Sequence, residues 1–381
     1  MSGGNGSTTA DVLIVGAGIV GSACAEAFGR EGLKVLVIDP SVVGGGATAA
    51  GMGHVVVMDD SDAQFALTHY SQRLWDELVP ELPADVQFDR CGTLWAAADT
   101  EEMEEVERKQ AYFTARGVRV DVLDVQALAL AEPNLRPGLA GGLLVPGDSV
   151  IYPPCAARFL LDRARARGAT LQLGRRVVAL DGREATLDDG TRISAATVVN
   201  ATGAWAPELT PGWDVRKRKG HLVITDRYPG FVRHQIVELG YLKSAHASGA
   251  DSVAFNVQPR PNGQILLGSS RQFGAENAEV EPAMIDRMVR RALEYMPGLA
   301  RLTALRCWTG FRAATPDKLP LIGPCPGVEG VYLATGHEGL GITTSMGTAR
   351  LLADQVLGRT PEIPWKPYLP ARASQGVVHA G

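Results

Sequence analysis

The chain has 381 residues, 45% of them hydrophobic and 21% charged, enough for a large core and, at this length, for two or more domains. The net charge is -5, and the one dense basic run, at 216–219, reads as a solvated turn, so the composition excludes a nucleic-acid footprint. No apolar stretch approaches the roughly 20 residues that cross a bilayer. Residues 1–9 are Gly/Ser-rich with no hydrophobic signal segment, and a soluble cytoplasmic protein is expected.

Along the chain, 11–15 reads as an apolar strand, 16–32 as a glycine-opened helix and 33–38 as a second strand, together a βαβ unit. A Gly/Ala-rich stretch at 44–53 has too few side chains to pack as an ordinary helix face. Helices are expected at 63–82, 100–116 and 156–167, with a strand at 87–97. Strands follow at 170–180, 184–187 and 192–200, returning the chain to the first sheet. From Gly220 long alternating strands appear, among them 236–243, with 252–259 and 264–269 joined by a Pro-Asn-Gly turn that favours an antiparallel hairpin. A helix with Ile285, Met288, Val289, Ala292 and Leu293 on one face stops at Pro297-Gly298. Strand 331–335, the glycine-rich turn 336–341 and helix 342–357 close the pattern. The cysteines (Cys24, Cys91, Cys155, Cys307, Cys325) are odd in number and scattered, so neither disulfides nor a metal site is expected.

The strongest local motif is Gly16-x-Gly18-x-x-Gly21, with Ile19 and Val20 opening the helix and Asp39 ending the next strand. Gly16 permits a tight turn, Gly18 lets backbone N–H groups approach a pyrophosphate, and Gly21 allows close helix–sheet packing. Asp39 is placed to accept hydrogen bonds from ribose hydroxyls. This predicts a dinucleotide site, without separating NAD from FAD.

Three further segments carry a resemblance: Gly44–Met52 (GGGATAAGM), Asn200–Trp205 (NATGAW) and Gly336–Thr343 (GHEGLGIT). Their order and spacing resemble the D-amino-acid oxidase family of FAD enzymes over nearly the whole chain. The resemblance implies an α/β fold with a Rossmann-like FAD-binding domain on a mixed sheet (10–86, 150–215 and 316–370). It adds an α+β substrate domain with a large antiparallel sheet (87–149 and 216–315), between flexible termini (1–9 and 371–381). By position, Ala47, Thr48, Ala50, Gly51 and Met52 would run beside the ribityl chain and ring, Val177 beside the adenine, and Ala201, Thr202, Gly203 and Trp205 near the pyrophosphate. His337, Gly339, Leu340, Gly341, Ile342 and Thr343 would bring backbone N–H groups to the flavin N1/C2 edge, where they stabilise the reduced anion. Gly310 stands where relatives with covalent flavin carry Cys, so non-covalent FAD is expected.

At the substrate end, the segment around Arg312 resembles the family stretch whose Arg holds a carboxylate bidentately. Tyr241 matches the place of a carboxylate-binding tyrosine, and His54 is a candidate to face the ring. The resemblance implies oxidation of the carbon–nitrogen bond of a small D-amino or cyclic imino acid. It favours cis-4-hydroxy-D-proline or D-proline, with glycine or sarcosine as the alternative. Electrons would pass to oxygen or to a quinone or electron-transfer chain, with peripheral inner-membrane association in the latter case. Competing readings are an NAD(P)-dependent enzyme and a non-catalytic FAD-binding subunit; oligomeric state stays open.

Overall fold

Among the residues that the computed structural model describes, 8–240 and 251–376, the strands form two eight-stranded sheets and a two-stranded ribbon. The first sheet runs Leu321–Pro324, Val331–Thr335, Arg192–Asn200, Thr8–Val15, Val35–Asp39, Thr170–Leu173. All these neighbours are parallel except the first pair. The strand expected at 170–180 is broken: Thr170–Leu173 stays in the sheet, while Val177–Asp181 forms an antiparallel hairpin with Glu184–Leu187 beside Arg192–Asn200.

Registry decides where this sheet can bind. Val15 lies beside Asn200 on one side and Ile38 on the other, so the strands end together at Gly16, Asp39 and Ala201. The carboxyl ends of parallel strands are where open α/β sheets take ligands. The helices Ile19–Arg30, Asp62–Leu78, Pro153–Arg165 and Gly341–Val356 pack on one another around one core cluster that includes Ile14, Val37 and Val199.

The second sheet runs Ala304–Ala314, Arg216–Thr225, Ile265–Phe273, Ser252–Pro259, Gln235–Glu238, Thr93–Ala97, Gly141–Val145, Asp121–Leu123. It is antiparallel apart from the parallel pair Gln235–Glu238 with Thr93–Ala97. The helix Pro282–Tyr295 buries Met284, Met288, Ala292 and Tyr295, at spacings of three and four, against this sheet. Tyr295 stacks on Phe255 with ring centroids 4.7 Å apart.

Helix starts follow the capping residues. Ser61 Oγ, Asp99 Oδ1 and Asp124 Oδ1 accept from the backbone N–H of Gln64, Glu102 and Ala127 at 3.1, 2.9 and 2.8 Å.

One expectation is overturned. The basic run 216–219 is not a solvated turn but the start of the strand Arg216–Thr225, second from the edge of its sheet. Lys219 is fully buried, with Nζ bonded to Glu281 Oε1 at 2.8 Å and to Asn277 Oδ1 at 3.2 Å. A lysine tolerates burial when a carboxylate meets it. Here the partner lies about sixty residues along the chain, beyond the reach of local pattern. The strand expected at 236–243 is described as Gln235–Glu238, and Tyr241 lies outside the described residues.

Candidate active site

A cavity of about 810 Å³ opens at the carboxyl ends of the first sheet and continues beneath the second. Its first wall is the Gly16–Gly21 turn. Gly16 has φ +109°, and a Cβ there would stand 2.6 Å from Ala201 O, while a Cβ at Gly21 would meet Gly16 O at 1.9 Å. Only glycine lets the strand end, the turn and the helix close on each other this tightly. Gly18, Ile19 and Val20 line the cavity, whereas Gly21 lies behind it as a packing contact.

The helix that starts here has Gly18, which brings no side chain of its own, at its N-cap. Its positive end therefore faces the cavity. Thr48, from the short Gly46–Ala49 helix, accepts the Ile19 N–H at 3.0 Å and so pins the 44–53 stretch to this wall. Ala47, Thr48, Ala50, Gly51 and Met52 all line the cavity. This stretch lies close against the second sheet at Gly310, where a Cβ would come 2.3 Å from Ala50 Cβ.

Asp39 lines the same end, its Oδ2 accepting from Ala17 N–H and its Oδ1 from Ser41 N–H, both at 2.7 Å. Each oxygen keeps a further lone pair for a ligand. Val177 closes this end, together with Ala201, Thr202, Gly203 and Trp205. Asn200 organises their turn: its Nδ2 donates to Ala206 O at 3.0 Å and Thr210 Oγ1 at 2.9 Å, and its Oδ1 accepts from Thr202 Oγ1 at 2.7 Å. Trp205 packs edge-on against Phe311, 6.0 Å between centroids.

The opposite wall is the turn before the last helix. Gly339, Leu340, Gly341 and Ile342 line the cavity, and the helix Gly341–Val356 begins there with no side-chain cap at Leu340. Thr343 does not line it. Its Oγ1 donates to His54 O at 2.8 Å and clamps the helix start to the ribbon His54–Val55. His337 reaches the cavity wall, but its Nε2 shares a 3.0 Å hydrogen bond with Thr348 Oγ1, and burial pushes its pKa down to about 3. It is a neutral brace for the turn.

The second sheet supplies the remaining side. Arg312, on Ala304–Ala314, lies part-buried across Gly220 of the neighbouring strand, and its Nη1 donates to Ser270 O at 2.9 Å. Burial lowers its pKa to about 10, and among the described residues no carboxylate pairs with it. His54 is buried nearby; burial, then the positive Arg312, lower its pKa to about 4, against a smaller opposing contribution from Gln258. It is neutral at physiological pH. Sequence reading missed two further arginines of this wall, Arg218 and Arg271, and gave no role to Glu338, which follows His337 and forms an ion pair with Arg218. The signal for Arg218 lay inside the basic run that read as a turn.

An open, mostly parallel sheet with two helix starts and an acidic residue at the rim of its cavity, roofed by a second sheet, has the form of a dinucleotide-binding protein. Residues 11–355 match the DAO family model, described as FAD dependent oxidoreductase, and the chain belongs to that family. It is 29% identical to hydrogen cyanide synthase subunit HcnC of Pseudomonas aeruginosa, covering 96% of each chain. It is 28% identical to the glycine oxidase of the same organism, covering 94% of this chain and 98% of that one. The crystal structure of glycine oxidase from Geobacillus kaustophilus superposes with a TM-score of 0.86 at 25% identity, covering 96% of this chain and 99% of that one.

The residues present fit FAD. The glycine cradle leaves room that a Cβ at position 16 would close, the helix start at Gly18 turns its positive end to the cavity with the Ile19 N–H taken by Thr48, and the volume suits a large ligand.

Proposed function

We propose that the protein oxidises the carbon–nitrogen bond of a small amino or imino acid whose carboxylate is held by Arg312. The observation that carries this reading is the Arg312 guanidinium, part-buried in the cavity wall and bonded only to one backbone carbonyl among the described residues. A cation in a cavity wall with donors to spare is a site for an anion, and a planar fork suits a carboxylate.

In this reading the first sheet and its helices form the FAD-binding domain and the second sheet the substrate domain. Gly16, Gly18, Ile19 and Val20 would hold the pyrophosphate, Asp39 the ribose, and Val177 the adenine. Residues 47–52 would lie along the ribityl chain, and 339–342 at the flavin N1/C2 edge. FAD bound there would supply a two-electron acceptor for the hydride of the substrate α-carbon, held non-covalently since Gly310 offers no thiol. Arg312 fixes the carboxylate and thereby the direction of the α carbon–hydrogen bond, an effect of orientation. Buried neutral His54 adds no positive charge near the amine, which must lose its proton to be oxidised. The imine released would hydrolyse in water, and oxygen or an electron-transfer chain would take the electrons.

cis-4-Hydroxy-D-proline and D-proline, favoured by the sequence resemblance, belong to this class, as do glycine and sarcosine. The similarity to glycine oxidases supports amino-acid oxidation over a purely structural FAD-binding role. The test is a purified protein carrying the visible absorbance of oxidised flavin, mixed anaerobically with each acid. Bleaching by an amino or imino acid is expected. A colourless protein, or flavin that no such acid bleaches, would overturn the proposal.

A further inference from the structure

The roof of the cavity changes character away from Arg312. The strand Gln235–Glu238 sets Val237 opposite Asn256 of Ser252–Pro259 on one side and opposite Trp95 of Thr93–Ala97 on the other. Gln235 lies two residues before Val237 and shares its face. All four line the cavity, two uncharged amides beside an apolar pad of Trp95 and Val237.

These amides are idle. Gln235 is only 3% and Asn256 8% exposed, yet Gln235 Oε1 and Asn256 Oδ1 have no hydrogen-bond partner among the described residues. Other buried amides nearby are engaged: Gln258 Nε2 donates to Met52 O at 2.8 Å, and Gln72 Nε2 to Asp148 Oδ1 at 2.9 Å. Turning either idle amide over exchanges a lone carbonyl for a lone N–H. A polar group buried without a partner is costly, and two on one face of a cavity wall mark a place where a ligand supplies the bond.

Their place suits the far end of a substrate. The Arg312 guanidinium reaches Ser270 O on Ile265–Phe273. Asn256 stands on the next strand, opposite Gly268, and Gln235 is one strand further. With strands about 4.8 Å apart, the amides lie roughly 5–10 Å beyond the guanidinium, room for a small acid with a hydrogen bond at each end.

We propose that Gln235 and Asn256 form a subsite that selects a substrate with a hydroxyl group on its side chain. A hydroxyl both donates and accepts, so it answers either orientation of each amide, and it brings no charge to a wall segment that offers none in return. A side chain that displaces water from the two amides without replacing its bonds loses affinity, so the parent acid lacking the hydroxyl is disfavoured. The inference rests on the amino-acid oxidase reading and narrows it to hydroxylated amino or imino acids. Hydride still leaves the α-carbon, and the hydroxyl takes no part in the redox step.

The test uses the FAD-loaded full chain and acids that differ by one hydroxyl. Anaerobic bleaching compares D-serine with D-alanine, and both epimers of 4-hydroxy-D-proline with D-proline, alongside glycine and sarcosine. The bleaching rate constant divided by the dissociation constant should be at least about tenfold higher for the hydroxylated member of one pair or both. Parity or the reverse order in both pairs, or bleaching by glycine or sarcosine alone, overturns this inference and leaves the proposed function standing. No bleaching by any of these acids removes the proposed function, and this inference with it. Asn256→Leu and Gln235→Met keep the shape and delete the amide; each should bring the ratio within a pair close to one. A preference that survives both variants overturns the inference, as does a shifted flavin spectrum in the unliganded variants, which would assign the amides to the cofactor. Deleting an unpartnered amide should leave the melting temperature of the holoprotein level or higher. A marked fall in both variants would show that the amides serve the fold, and overturns the inference as well.

Discussion

Gly220 is the floor on which the Arg312 guanidinium rests: a Cβ at position 220 would stand 2.5 Å from Arg312 Nη1 and 2.9 Å from its Cζ. The two strands pair with Gly220 opposite Gly310 and Arg218 opposite Arg312, so the long side chain folds back across its neighbour to reach the cavity. Gly220→Ala should therefore displace Arg312 without touching the nucleotide end. The expected outcome is full FAD content with kcat/KM lowered roughly tenfold or more, equivalent to about 1.4 kcal/mol. Steady-state kinetics on flavin-normalised enzyme checks it, and unchanged kinetics would show that the guanidinium position is not critical.

Arg312→Lys keeps a positive charge and loses the planar pair of donors. KM should rise by about tenfold or more, while flavin absorbance stays that of the wild type. Weakened flavin retention with normal KM would instead place Arg312 at the cofactor.

Asp39 ties two backbone N–H groups and presents its remaining lone pairs to the cavity. Replacing it with Ala removes charge-assisted hydrogen bonds worth about 1.5–3 kcal/mol each. The FAD dissociation constant should increase by at least about tenfold, with the circular dichroism of the apoprotein unchanged. Undiminished FAD affinity in that variant would sever Asp39 from the ribose.

His337 gives a pH prediction with a definite sign. Its folded-state pKa is about 3, against an ordinary value of 6.5, so the unfolded chain binds the proton first. The stability it contributes is complete above pH 6.5 and falls as the pH drops toward 3. A His337→Gln variant lacks this titration. Its melting temperature, measured against wild type from pH 8 to pH 4, should gain on the wild type as the pH falls. A constant difference across that range would mean that the imidazole is not held neutral.

Met288 is fully buried between its helix and the second sheet. Met288→Ala should cost about 2–5 kcal/mol of unfolding free energy, read by denaturant titration of the holoprotein. A loss below 1 kcal/mol would indicate that the helix closes over the gap.

Legibility in the sequence differed sharply between the two ends of the cavity. The nucleotide end was readable because its determinants are local: Gly16, Gly18 and Gly21 sit within one turn, and Asp39 follows by a single strand. Gly21 was marked with that end and Thr343 with the flavin edge, and the structure gives both packing or clamping contacts instead of places on the cavity wall. The arginine wall was mostly invisible. Arg218 was masked by its neighbours Arg216, Lys217 and Lys219, a run whose composition resembles exposed turns, and nothing near Arg271 marks it as facing a ligand. His337 stood out as a candidate in its glycine-rich turn, yet a hydrogen bond to Thr348 one helix further on makes it a brace.

Short-range stereochemistry thus determined, from the sequence alone, that a glycine-opened βαβ unit binds a dinucleotide, because φ angles, helix starts and the alternation of strands depend on residues a few positions apart. Tertiary structure alone decided that Arg218, Arg271 and Arg312 share one wall of the cavity. That arrangement depends on strand order and register between segments up to about ninety residues apart, which no local pattern in the sequence records.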